Sequence, residues 1–124
     1  MKKNLLIFII SLILLTLQCK SRSPTVSDII GSWGSEVSSQ NENSSNTIKV
    51  KTIFYKNGSS EQISNGVFHI DNETASFQII LGMKWYLEGE NLIEELVSHF
   101  LSDLKGDEAA IKIIKSHYDN MFQN

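Results

Sequence analysis

The side chains of this 124-residue chain with the most distinctive chemistry are one thiol, three imidazoles and two indoles. The thiol is Cys19, and a lone cysteine can close no internal disulfide, so it is either a reactive group or a site of modification. His69 and Asp71 would share one face of a continuing strand, but a metal site needs three or four ligands and no third stands near them. His99 and Asp103 are four residues apart, which on a helix makes a surface pair. Glu94 and Glu95 are adjacent, so on a strand they point to opposite faces and cannot flank one glycosidic bond. No serine sits in a G-x-S-x-G elbow, and no glycine loop for phosphate is present. These residues form no catalytic constellation, so the expected protein is not an enzyme and carries no metal or cofactor. Five rings, Trp33, Phe54, Phe77, Trp85 and Tyr118, could line a pocket for a small apolar ligand. Rings of this kind also dominate ordinary cores.

The chemistry of Cys19 follows from what precedes it. Met1-Lys2-Lys3-Asn4 is a positive stub, and Leu5 to Leu17 is an unbroken apolar run apart from Ser11 and Thr16. This is the charge and hydropathy pattern of an export signal. As a helix the run would be roughly 20 Å long at about 1.5 Å per residue. A bilayer core is about 30 Å thick and needs about 20 apolar residues. Gln18, Lys20 and Arg22 end the run short of that, which favours a cleaved leader over a membrane span.

The run closes on Leu15-Thr16-Leu17-Gln18-Cys19, which resembles a bacterial lipobox, with Gln18 where a small residue is usual. The resemblance implies that residues 1–18 are a lipoprotein signal peptide. It also implies that Cys19 is acylated (diacylglycerol, palmitate). Two or more chains hold a protein on a membrane at about 0.8 kcal/mol per buried CH₂. The implied location is the cell envelope, with membrane contact through the lipid on Cys19. Lys20, rather than Asp, after the cysteine favours the outer membrane if the source is Gram-negative.

Residues 19–28 form a lipidated tether, polar from Lys20 to Thr25 and holding the only proline, Pro24. Residues 29–124 are one small domain with a single modest core. Losing Lys2 and Lys3 with the leader takes the net charge from −3 to −5. No basic stripe remains, so nucleic acid is not an expected partner.

Within the domain, Ser35 to Asn46 is rich in Ser, Asn, Gln and Glu and reads as a long loop. Ile48, Val50, Thr52 and Phe54 alternate as a strand, and Asn57-Gly58 is a strong hairpin signal. The chain returns through Glu61 to Ile70, turns at Asp71-Asn72-Glu73, and alternates again at Ala75, Phe77, Ile79 and Leu81. Gly82 marks a bulge or turn. Met83, Trp85 and Leu87 continue the alternation into the turn Glu88-Gly89-Glu90-Asn91. Residues 92–104 support two readings. Ile93, Leu96, Val97, Phe100, Leu101 and Leu104 make a helical stripe, whereas the meander favours a strand to about residue 98. After Gly106 a helix is expected over about 107–122, with Ile111, Ile114, Tyr118 and Met121 on one face.

Gly31-Ser32-Trp33 at the start of a strand, with Trp85-Tyr86-Leu87-Glu88-Gly89-Glu90-Asn91-Leu92 further on, resembles small bacterial lipocalin-like lipoproteins. The resemblance covers residues 29–98. A lipocalin closes about eight strands, and five or six are countable here. The expected fold is therefore mainly β: an antiparallel meander forming an open or partial lipocalin-like barrel, with a C-terminal helix. Two functions are compatible with it. One is binding of a small apolar ligand among the five rings. The other is an envelope protein-interaction factor (an inhibitor, immunity or exclusion lipoprotein) that meets a basic partner through its acidic surface and the 35–46 segment.

Overall fold

The computed structural model of the chain describes residues 23–122. The leader over residues 1–18, Cys19 and the start of the tether lie outside the described residues. A short helix, α1 (Val26–Ile29), leads into five strands: β1 (Gly31–Gln40), β2 (Ser44–Phe54), β3 (Ser59–Ile70), β4 (Glu73–Glu88) and β5 (Asn91–Gly106). A second helix, α2 (Glu108–Phe122), ends the described chain. Each strand pairs antiparallel with the next, in the order β1-β2-β3-β4-β5. The meander with a C-terminal helix expected from the sequence is what forms. β1 and β5 are its edges and do not pair with each other, so the sheet stays open and no barrel closes.

Local chemistry fixes the hairpins. At Tyr55–Ser59 the amide of Gly58 donates to Tyr55 O, and Gly58 adopts φ 85°, the left-handed residue that ends a three-residue loop. Asn57 Oδ1 accepts from both the amide and the hydroxyl of Ser59, at 3.0 and 2.6 Å. Between β1 and β2, Asn41 Oδ1 does the same for Ser44, at 3.0 and 2.7 Å. The expected loop over Ser35–Asn46 is therefore a hairpin, with only Asn41–Asn43 outside the strands. Its polar residues show no alternation because β1 is an edge strand whose residues Gly34–Gln40 are all exposed. Pairing with β2 imposes the strand there, including a Ser38–Thr47 hydroxyl pair at 3.3 Å.

Residues 92–104 are strand throughout, and β5 continues to Gly106, past the expected limit near residue 98. The register shows why a helix was legible there. It slips between Gly82 and Met83, and again between Ser76 and Gln78, and each slip leaves one extra residue in β5. The side chains of β5 on the inner face therefore fall at Leu92, Glu94, Leu96, His99, Leu101 and Leu104. Two bulges turn a spacing of two into a mixture of two and three, which imitates a helical stripe. The bulge expected at Gly82 is one of these slips.

Gly106 ends β5 at φ 131°, against the carbonyl of Thr74 and the backbone of Ala75, where a β-carbon would collide. Asp107 then fastens the start of α2 to the β3–β4 turn. Its amide donates to Thr74 O at 2.9 Å, and its carboxylate accepts from the Thr74 amide at 2.8 Å.

Both helices cover one face of the sheet, here called the inner face. The core is split in two. Under α1, Ile29 packs with Phe54, Trp85 and Leu92, flanked by Trp33 and Leu87. Under α2, Ala110 and Ile114 pack on Ala75, flanked by Phe68, Ile70, Phe77, Leu104 and Ile111. Between the two groups the inner face carries four buried polar residues, Thr52, Ser60, Gln62 and Ser64, beside buried Leu81 and Met83 of β4.

Candidate functional site

The five rings named from the sequence do not form one group. Phe54 and Trp85 meet edge to face at 5.5 Å and 83° in the α1 cluster. The Trp85 indole N–H donates to two backbone carbonyls, Tyr55 O at 3.1 Å and Ser59 O at 2.9 Å. Trp33 flanks the same cluster, and its N–H donates to Ile29 O at 2.8 Å. Phe77 lies under α2, its ring seated on Gly66. Tyr118 is on α2, where its hydroxyl meets His99 Nδ1 at 2.6 Å and its ring tilts onto Phe122. Phe122 stacks on His99 with ring centres 4.4 Å apart. Both indole N–H groups and the tyrosine hydroxyl are thus engaged within the chain.

The titratable pairs separate as well. Glu94 and Glu95 face opposite sides of β5, with Glu94 half-buried on the inner face and Glu95 exposed. The Ser60 hydroxyl donates to Glu94 Oε1 at 3.1 Å, and Trp85 is its cross-strand neighbour. Burial pushes the Glu94 carboxyl above the usual carboxylate range, and the Ser60 hydrogen bond partly opposes the shift. Burial also raises the Tyr118 hydroxyl, with the negative charge of Asp119 adding to it. His69 Nδ1 meets Thr74 Oγ1 at 2.8 Å across β3 and β4. Asp71 falls past the end of β3, in a turn at φ 51°, so it does not continue the strand face of His69. His99 and Asp103 lie on a strand, with Asp103 at the second bulge at φ 50°, so the helical spacing between them does not exist. Among the described residues no group of three or more His, Cys, Asp or Glu side chains could hold a metal ion.

The outer face carries what the sequence left unseen. Ile63, Ile80 and Phe100 stand opposite one another across β3, β4 and β5. Tyr86 and Val67 are exposed on the same face, and Phe100 is 61% exposed. Lys49, Lys51, Lys84 and Glu95 are interspersed with them. A shallow cleft of about 340 Å³ opens nearby, between Lys49, Asn65, Gln78 and Lys105. Large apolar side chains set among charges on a sheet face that neither described helix covers form a surface suited to a partner, whereas isolated ones would be ordinary. The signal for it was the unbroken run Ile79-Ile80-Leu81, which gives β4 apolar side chains on both faces.

Comparison of the chain with protein-family models, with curated proteins and with solved structures finds no match.

Proposed function

We propose that the protein is a lipid-anchored, lipocalin-like lipoprotein of the cell envelope whose domain binds a protein partner and performs no catalysis. One observation carries this reading. Most of the inner face is occupied by its own side chains and helices, with both indole N–H groups and the Tyr118 hydroxyl bonded internally, whereas Val67, Tyr86 and Phe100 stay exposed together on the outer face. A pocket protein would leave such groups turned toward an empty space. The anchor is inferred from the leader and Cys19.

The small-apolar-ligand reading has one observation in its favour. Thr52, Ser60, Gln62 and Ser64 place buried polar groups beside Leu81 and Met83 between two apolar clusters, as a ligand with one polar group would require. Intact mass of the protein from the membrane fraction tests both the anchor and the ligand. Residues 19–124 plus acyl chains, lost on Cys19→Ala, is the expected result, and an unmodified thiol would refute the anchor. A stoichiometric small molecule retained under native conditions would favour the ligand reading. A photo-crosslinking residue at Tyr86 should yield a protein adduct in intact cells, and one at Ser116 on α2 should not. Equal labelling from both positions would count against an outer-face site.

A further inference from the structure

Among the described residues β5 is an unpaired edge, and part of its sequence is symmetric about Phe100, although Val97 falls against Asp103 and His99 against Leu101. The sequence Glu95-Leu96-Val97-Ser98-His99-Phe100-Leu101-Ser102-Asp103-Leu104-Lys105 sets Ser98 against Ser102, Leu96 against Leu104, and Glu95 against Lys105. The two bulges repeat the symmetry. One extra residue lies between Leu96 and Ser98 and the other between Ser102 and Lys105, each about three residues from Phe100. Four consecutive residues of this edge, Val97 to Phe100, are exposed.

We propose that β5 pairs antiparallel with β5 of a second copy, with Phe100 on the two-fold axis. A two-fold antiparallel ladder must place one residue opposite itself. Of the registers available, the one centred on Phe100 puts opposite charges across from each other twice, as Glu95 with Lys105 of the second copy and the reverse. All of Glu95, Ser98, Phe100, Ser102 and Lys105 belong to the outer face, because their β4 partners are Lys84, Gly82, Ile80, Gln78 and Ser76. Opposed β-carbons in such a ladder stand about 4.5–5.5 Å apart, close enough for each pair to interact. Because the bulges of the two strands fall opposite one another, the ladder stays in register past both. The same bulges would break pairing with an arbitrary strand, which limits open-ended aggregation.

The result is a ten-stranded sheet. The row Ile63–Ile80–Phe100 continues into Phe100–Ile80–Ile63 of the second copy and covers the ring that is 61% exposed in one chain. The axis is perpendicular to the sheet. It therefore places α1 of both copies on the same side, since α1 packs on the inner face. Two chains tethered from their N-termini could then reach one membrane. Confinement there raises the effective concentration, so a modest edge interaction suffices. The ladder itself requires only the β5 edge and is independent of the protein-partner reading, whereas the confinement rests on the anchor of the proposed function.

Differently tagged mature chains carrying Ser98→Cys and Ser102→Cys, co-expressed with Cys19 acylated, provide the test. Oxidation should join the two variants at least about tenfold more efficiently than either variant with itself, because only the mixed pair is opposed across the axis. Equal self-joining, or no joining by variants whose circular dichroism matches the parent, would overturn the register. Charge reversal gives a second, independent reading. Glu95→Lys should weaken self-association at least about tenfold, since it places like charges opposite each other at both ends. Adding Lys105→Glu should restore it. Self-association that ignores both changes, or a parent that sediments as a monomer at all accessible concentrations, would also overturn the proposal. Protein adducts at Tyr86 from a monomer would leave the partner reading standing alone.

Discussion

Ile29→Ala should remove a large share of the stability of the domain. Ile29 has no exposed surface and is the only buried side chain of the four-residue helix α1. It fills the space between Phe54, Trp85 and Leu92. The substitution deletes three carbons, worth about 2.4 kcal/mol at about 0.8 kcal/mol each. A residual cavity adds about another 1 kcal/mol, because Phe54 and Trp85 are locked edge to face and Trp85 is pinned by two carbonyls. The expected loss is therefore about 3 kcal/mol, against a total of about 5–15 kcal/mol for a domain of this size. The assay is urea unfolding of the mature chain, followed by tryptophan emission and by far-ultraviolet circular dichroism. Both tryptophans belong to this cluster, so emission reports on it directly, while dichroism reports on the sheet. If the domain is one cooperative unit, the two midpoints fall together, and Ile114→Ala under α2 lowers them together as well. A loss below about 1 kcal/mol with unchanged emission would refute the packing of α1 described here. An early emission change with an unmoved dichroism midpoint would refute the coupling of the two clusters.

Glu94→Gln should make stability less dependent on pH. The folded state raises the Glu94 pKa above its ordinary 4.5, so protonation is favoured in the fold. The parent should therefore lose stability as pH rises from 4.5 through the folded pKa, and the variant should not. Urea midpoints at about pH 4 and about pH 7 check this, and a parallel pair of profiles would contradict it. Gly106→Ala should cost at least about 2 kcal/mol in thermal unfolding, since φ 131° and the carbonyl of Thr74 both oppose a β-carbon. Gly66→Ala should cost about 1–3 kcal/mol by displacing the Phe77 ring, and Gly66→Ala with Phe77→Leu should recover part of it. Strict additivity in that pair would show that the ring is not seated on the glycine.

Much of the fold was legible because its signals are local. Asn57-Gly58, Asp71-Asn72 and Gly89-Glu90 are turns, and the alternating stretches between them are strands. Gly106 ends the last strand, and a helix starts close to where Asp107 and Glu108 suggested. Two segments misled for opposite reasons. The 35–46 stretch is too polar to alternate, and only pairing with β2 makes it a strand. Residues 92–104 alternate correctly but are interrupted by two bulges, whose positions depend on β4. The rings fared differently from the elements that carry them. A sequence shows that Trp33, Phe54, Phe77, Trp85 and Tyr118 sit on inward positions, but not which of them meet. Whether Trp85 Nε1 faces a ligand or Tyr55 O depends on the path of a turn 30 residues away in sequence.

The split core bears on why the sheet remains open. Five strands fall short of the about eight that close a ligand-holding barrel, so an inner face of five strands must be covered by something else. α1 covers one end, with Ile29 buried and its carbonyl accepting from Trp33 on the β1 edge. α2 covers the other end, fastened by Asp107 to Thr74 and by Tyr118 to His99 on the β5 edge. Each helix thus holds one edge strand to the interior, and neither reaches the middle of the face. There buried Thr52, Gln62 and Ser64 lie beside buried Leu81 and Met83, so the middle of the face mixes polar and apolar side chains. Among the described residues no fully buried side-chain nitrogen or oxygen lacks a hydrogen-bond partner. The two apolar clusters are separate, and the β2–β3–β4 ladder that carries Leu81 and Met83 lies between them. The coupling of the Trp33 and Trp85 emission to a cavity at Ile114 is consequently a measure of how rigid that ladder is.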